Sequence, residues 1–131
     1  MNTTIQRIVF SALLLSSPLS VAWASGAEKG LIGYDPKTLA FVTNRDSNDI
    51  AVIDTQADRV IARIPLGAMS NAHMAQPTHD GKKLLVSATG RNQFLVVDLA
   101  TLNIEHSIQT GAAPAHFGLT PDNQYATVGH M

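Results

Sequence analysis

The chain has 131 residues, nine basic and ten acidic, with a formal net charge of −1 and no cysteine. A charge so near zero leaves no electrostatic footprint for nucleic acid or for an anionic membrane surface. The lack of cysteine excludes disulfide staples, thiolate metal sites, a lipid-bearing cysteine and covalently attached c-type haem, so stability must come from buried apolar surface.

The opening residues Met1 to Arg7 are polar with one positive charge, and an apolar run follows from Ile8 to Leu15. Ser16-Ser17-Pro18 ends that run, and Ala22-Trp23-Ala24 supplies an A-x-A cleavage site. This order is that of a secretory signal peptide. A membrane span needs roughly 20 predominantly apolar residues, and the serines and Pro18 interrupt well before that. Residues 1–24 are therefore expected to be a signal peptide cleaved after Ala24, delivering the chain to a periplasm or the exterior with no membrane insertion afterwards. The mature chain has eight basic against ten acidic residues, a net charge of −2.

From residue 25 onward the sequence repeats. Ala40-Phe41-Val42-Thr43-Asn44, a polar loop and Ile50-Ala51-Val52-Ile53-Asp54 align without a gap on Leu84-Leu85-Val86-Ser87-Ala88, a loop and Phe94-Leu95-Val96-Val97-Asp98. Asp54 and Asp98, Asn48 and Asn92, and Gly67 and Gly111 all stand 44 residues apart. A third copy begins at Ala115-His116-Phe117-Gly118, echoing Ala72-His73-Met74-Ala75. A period of about 40–45 residues with four strands per unit is that of a propeller blade. The expected fold is all-β: a β-propeller of four-stranded antiparallel blades, with about two and a half blades in residues 25–131. Blade one is expected over about 29–67, blade two over about 68–111 and half of blade three over about 112–131. A sandwich or small barrel also uses short strands, but neither requires such a self-match.

Within each unit the continuous runs Ile50–Ile53 and Phe94–Val97 suit strands covered on both faces, and the alternation in Val60-Ile61-Ala62-Arg63-Ile64 suits a half-exposed one. Asp80-Gly81 and Asp122-Asn123 mark hairpin turns, and Asp54 and Asp98 mark Asx-type turns. No segment shows a helical period. Propellers close with about 4–8 blades, so the chain reads as the N-terminal part of a longer protein, with a self-assembling partial ring as the alternative.

Phe41-Val42-Thr43-Asn44, Ser47-Asn48-Asp49-Ile50-Ala51-Val52-Ile53-Asp54 and Val60-Ile61-Ala62-Arg63-Ile64-Pro65-Leu66-Gly67 resemble the YVTN-type β-propeller repeat. The second unit departs from it at Val86-Ser87-Ala88, and the third keeps only Leu119-Thr120-Pro121-Asp122-Asn123. The WD-type repeat matches less well, since its Gly-His and Trp-Asp landmarks are missing. The resemblance implies a superfamily of exported propellers. It includes surface-layer and periplasmic binding proteins without known chemistry, the haem-binding domain of periplasmic nitrite reductases that carry a second, non-covalent haem, and relatives that handle that haem.

Histidines are the informative candidates. His73 and His116 recur in one local motif at the start of the innermost strand, where equivalent positions on successive blades lie side by side; His130 is expected on the same rim. An imidazole there can ligate a haem iron or a metal, transfer protons, or simply bond a neighbouring carbonyl. His106, on an outer strand, and His79, in a turn, are expected to be solvated. Arg45 and Arg91 lie in equivalent loops, where a cation can hold an anionic group or face water. Asp54, Asp98, Asn48 and Asn92 read as turn formers.

No G-x-S-x-G, S-x-x-K, H-E-x-x-H, P-loop or dinucleotide motif occurs. Asp46-Ser47-Asn48-Asp49-Ile50 lacks the third oxygen ligand, the glycine and the distal glutamate of a calcium loop. The expectation is a binding or scaffold module without a catalytic constellation and without a metal site, taking a protein or small-molecule ligand at the rim or channel mouth. The alternative is a haem-associated redox or haem-maturation propeller with non-covalent haem near His73, His116 or His130. A third possibility, an accessory to periplasmic quinoprotein dehydrogenases, rests on the resemblance alone.

Overall fold

A computed structural model describes residues 30–131, and the expected signal peptide, residues 1–24, lies outside the described residues. Three antiparallel sheets form among them. The first holds β1 (Leu39–Asn44), β2 (Asp49–Asp54) and β3 (Arg59–Pro65); the second holds β4 (Ala72–Pro77), β5 (Lys83–Ala88), β6 (Gln93–Asp98) and β7 (Ile104–Gln109); the third holds β8 (Pro114–Leu119) and β9 (Ala126–His130). In each sheet spatial order follows chain order, the meander of a propeller blade. Two single-turn 3-10 segments, Pro36–Thr38 and Thr89–Arg91, are the helical pieces among the described residues.

The hairpins close for local reasons. The Asp54 Oδ1 accepts from the N–H groups of Gln56 and Ala57, and the Asp98 Oδ1 accepts from the N–H of Thr101, as Asx turns require. Gly81 takes φ +68° and Asn123 φ +61° at the matching hairpin positions. There the Asp80 and Asp122 carboxylates each accept from the hydroxyl of a threonine two residues earlier.

A strand's alternating side chains feed two different cores. Leu84, Val86, Leu95 and Val97 of the second sheet pack against Ile50, Val52 and Ile64 of the first. Leu85 and Phe94, on the opposite face, pack with Phe117 of the third sheet. Phe94 and Phe117 meet edge to face with ring centres 4.9 Å apart. The second sheet is thus apolar on both faces, which is why Phe94–Val97 of β6 reads as a continuous apolar run.

The first sheet has three strands rather than four among the described residues. By the 44-residue register, β1 corresponds to β5, so no counterpart of β4 forms among the described residues. Gly30 to Tyr34, which would supply most of it, form a turn with Gly30 at φ +56° and Gly33 at φ +94°. The Leu31 N–H donates to the Leu99 carbonyl, and a Cβ on Gly30 would stand 1.8 Å from the Ala100 oxygen, so only glycine fits. The consequence shows in burial: Leu84, Leu85, Val86, Ser87 and Ala88 are all buried, whereas their counterparts in β1 are half-buried or exposed.

Candidate functional site

The innermost strands β4 and β8 lie beside one another, and each is irregular at its histidine. Ala72 pairs with Ala88 and Met74 with Ser87, so His73 is an extra residue on β4 with no ladder partner. Pro114 pairs with His130 and Phe117 with Val128, which leaves one extra residue on β8 across Ala115 and His116. A β-bulge re-aims the side chains at the extra position. Here two bulges on neighbouring blades bring the rings of His73 and His116 to 4.9 Å between centres, nearly perpendicular at 89°. His73 is half-buried and His116 exposed, so the pair opens to solvent.

Ser87 fixes this geometry. Its side chain is fully buried. Its hydroxyl donates to the Ala115 carbonyl at 2.6 Å and accepts from the Met74 N–H at 3.1 Å. These are the residue before one histidine and the residue after the other. The Thr89 hydroxyl adds a second tie between the blades, donating to the Pro114 carbonyl at 2.6 Å. Neither serine nor threonine was singled out by sequence. The departure from the repeat at Val86-Ser87-Ala88 was the signal that could have found Ser87, because a small hydroxyl replaces a larger one where two strands must touch.

His130 ends β9, and a Cβ on Gly111 would stand 3.4 Å from its Nε2, which places it over the crossover from β7 to β8. That is the same end of the blades as His73 and His116. Loop residues Arg45 and Arg91 also sit at this end, Arg45 donating from Nε to the Asn71 Oδ1 at 3.3 Å. His106 is exposed on β7, the outermost strand, and His79 sits in the turn at the far end with its N–H bonded to the Asn123 Oδ1. Both stand apart from the pair, as expected.

Asp49, at the start of β2, is the best-connected carboxylate of this end. Partial burial pushes its carboxyl up, but hydrogen bonds from Asn44, Ser47 and Arg63 outweigh that and hold it below the ordinary carboxylate range. The Arg63 Nη1 stands 3.0 Å from it. These three partners all engage the Asp49 carboxylate of the Asp46–Ile50 loop. At the opposite end, Lys83 bridges Asp98 at 2.6 Å and Glu105 at 2.7 Å, and those two bonds hold its amine above the ordinary lysine range. A cleft of about 270 Å³, lined by Leu31, Tyr34, Leu39, Lys83 and Leu99, lies at that end as well, away from the histidines.

No protein-family profile matches the chain, and no curated protein matches it. Solved structures do. Kuenenia stuttgartiensis hydrazine synthase aligns with a TM-score of 0.68 at 21% identity, over 73% of this chain and 27% of that one. The dihydro-heme d1 dehydrogenase NirN, in complex with DHE, aligns with a TM-score of 0.62 at 19% identity, over 79% of this chain and 22% of that one.

The fold is a β-propeller. At such identities the likeness carries the fold and nothing finer, and a shared fold does not name a reaction. The chain spans about a quarter of the length of either structure.

Proposed function

We propose that this chain is part of an exported, YVTN-type β-propeller that acts as a binding module, with its ligand engaging the end of the inner strands where His73 and His116 meet. The observation that carries this reading is the paired bulge. Two neighbouring inner strands each give up a ladder position to present an imidazole, and a buried hydroxyl holds them together. Register also shifts between β2 and β3 and between β6 and β7; the inner strands differ in that both extra positions fall at or beside a histidine. Arg45 and Arg91 give the same rim two cations suited to an anionic ligand.

A more specific reading is favoured by the same pair: the ligand is a non-covalent haem or related tetrapyrrole. The donor chemistry fits at the imidazole edge, where His73 or His116 would reach the iron or pass a proton, and Arg45 or Arg91 would meet propionates. The described residues provide this edge and no enclosing wall, so other blades would complete the slot. NirN, a protein of the same fold, is described in complex with DHE, which supports the reading by analogy. Bound haem would supply redox or ligand-binding chemistry; this chain's residues would orient it.

The test is an absorption spectrum of the periplasmic protein, as isolated and after addition of haem. A chromophore in the native protein, altered by His73→Ala and His116→Ala, is the expected result for the haem reading. A haem spectrum identical in the variant sinks it. Mass spectrometry of the same preparation reads the address: cleavage after Ala24 is expected, and a retained leader in a cytoplasmic product contradicts export.

A further inference from the structure

We infer that His73 and His116 form a two-imidazole site for a late d-block divalent cation, held directly by ring nitrogens. The inference shares its residues with the binding face above but does not depend on which ligand that face takes. Metal–nitrogen bonds to histidine run about 2.0–2.1 Å, which puts each ring centre roughly 3.2 Å from the ion. Two such rings at a tetrahedral angle have centres about 5.2 Å apart, and at the right angle of a square-planar site about 4.5 Å. The observed 4.9 Å falls between these values. The rings meet edge to face, so sharing an ion requires at least one of them to turn about χ2, a soft torsion whose axis runs through the ring and leaves its centre in place.

The donor set selects the metal class. Neutral imidazole nitrogens suit copper, nickel and zinc, whereas calcium and magnesium require oxygen ligands. Among the described residues no third histidine or carboxylate joins the pair. The remaining positions would therefore hold water or an exogenous ligand, an open arrangement rather than a structural, saturated one. The strands that carry the pair are also held in place before any ion arrives. The Ser87 bonds to Ala115 O and Met74 N fix both strands on either side of the rings.

Copper(II) is the probe, since it heads the affinity order for nitrogen sites. The full chain, stripped with a chelator and free of haem, is titrated with copper(II) and read by electron paramagnetic resonance for nitrogen hyperfine splitting. The expected result is one equivalent with coupling to two imidazole nitrogens, lost in both His73→Ala and His116→Ala and kept in His79→Ala and His106→Ala. Circular dichroism checks that each variant folds, and His73→Gln and His116→Gln replace any alanine variant that does not. A two-nitrogen signal that survives in the His73/His116 double variant, or no such signal in the wild type, overturns the inference. Haem titration is separate: copper binding without haem binding removes the haem reading alone, and haem binding without copper removes this one alone.

Discussion

With its hydrogen committed to the Ala115 carbonyl and a lone pair facing the Met74 N–H, Ser87 ties blade two to blade three through one buried oxygen. Removing it leaves a buried carbonyl and a part-buried N–H without their partner, and an unsatisfied buried group costs about 1–3 kcal/mol. Ser87→Ala is thus expected to lower stability by that order in chemical denaturation, and to loosen the histidine pair as well. Ser87→Thr, which restores the residue type found 44 positions earlier at Thr43, tests whether the hydroxyl alone suffices in this tighter space. The asparagines carry a similar load. Asn48 and Asn92 take φ +56° and +55°, and each side chain accepts from the N–H of the crossover to the next blade, at Asn71 and Ala113. Sequence identified both as hairpin formers, and the backbone conformation agrees. It did not reveal that the same side chains latch neighbouring blades. Periodicity marks a recurring residue, whereas the partner it bonds lies outside the window that periodicity reads.

At the scale of elements, the strands and their order were legible because each blade must bury apolar residues at strand period, and the 44-residue repeat fixes where the period restarts. Bulges were not legible. One extra residue in β4 and in β8 shifts the alternation within strands too short for the break to show in sequence, yet it re-aims the side chains at His73 and His116. Nor was the three-stranded first sheet, since Gly30 to Tyr34 keep the length of a strand while their glycines adopt turn conformations. The apolar seam between blades two and three rests on few large side chains, chiefly Leu85, Phe94 and Phe117. Truncating a buried phenylalanine typically costs about 3–5 kcal/mol. Phe117→Ala is expected to sit in that range by urea denaturation, with increased hydrogen exchange in β8 and β9. Exchange that rises equally in β2 and β3 would show that the blades do not respond as neighbours.

For the whole molecule, charge sets a window of pH. Burial works against Asp49, but its hydrogen bonds from Asn44, Ser47 and Arg63 prevail. Hydrogen bonds from Lys83 and then the Thr101 N–H lower Asp98. A carboxylate depressed in the folded state contributes stability above its unfolded pKa and loses it as pH falls through the folded value. Lys83 is raised, so its contribution is complete below the ordinary lysine range and is lost as pH climbs through the raised value. Melting temperature is expected to be flat through neutrality, to fall on the acid side below about pH 4 and on the alkaline side above about pH 10. Asp49→Asn is expected to blunt the acid limb; an unchanged acid limb would assign it elsewhere. These pairs are partly exposed, so salt should shrink each effect.

A buried serine, two bulges and two neighbouring blades place His73 against His116 at one end of the inner strands. Nuclear magnetic resonance of the imidazole groups during a haem titration reads that end directly. The His73 and His116 signals are expected to shift or broaden together at one midpoint while those of His79 and His106 stay in place. Movement of all the histidines alike, or of none, would contradict this.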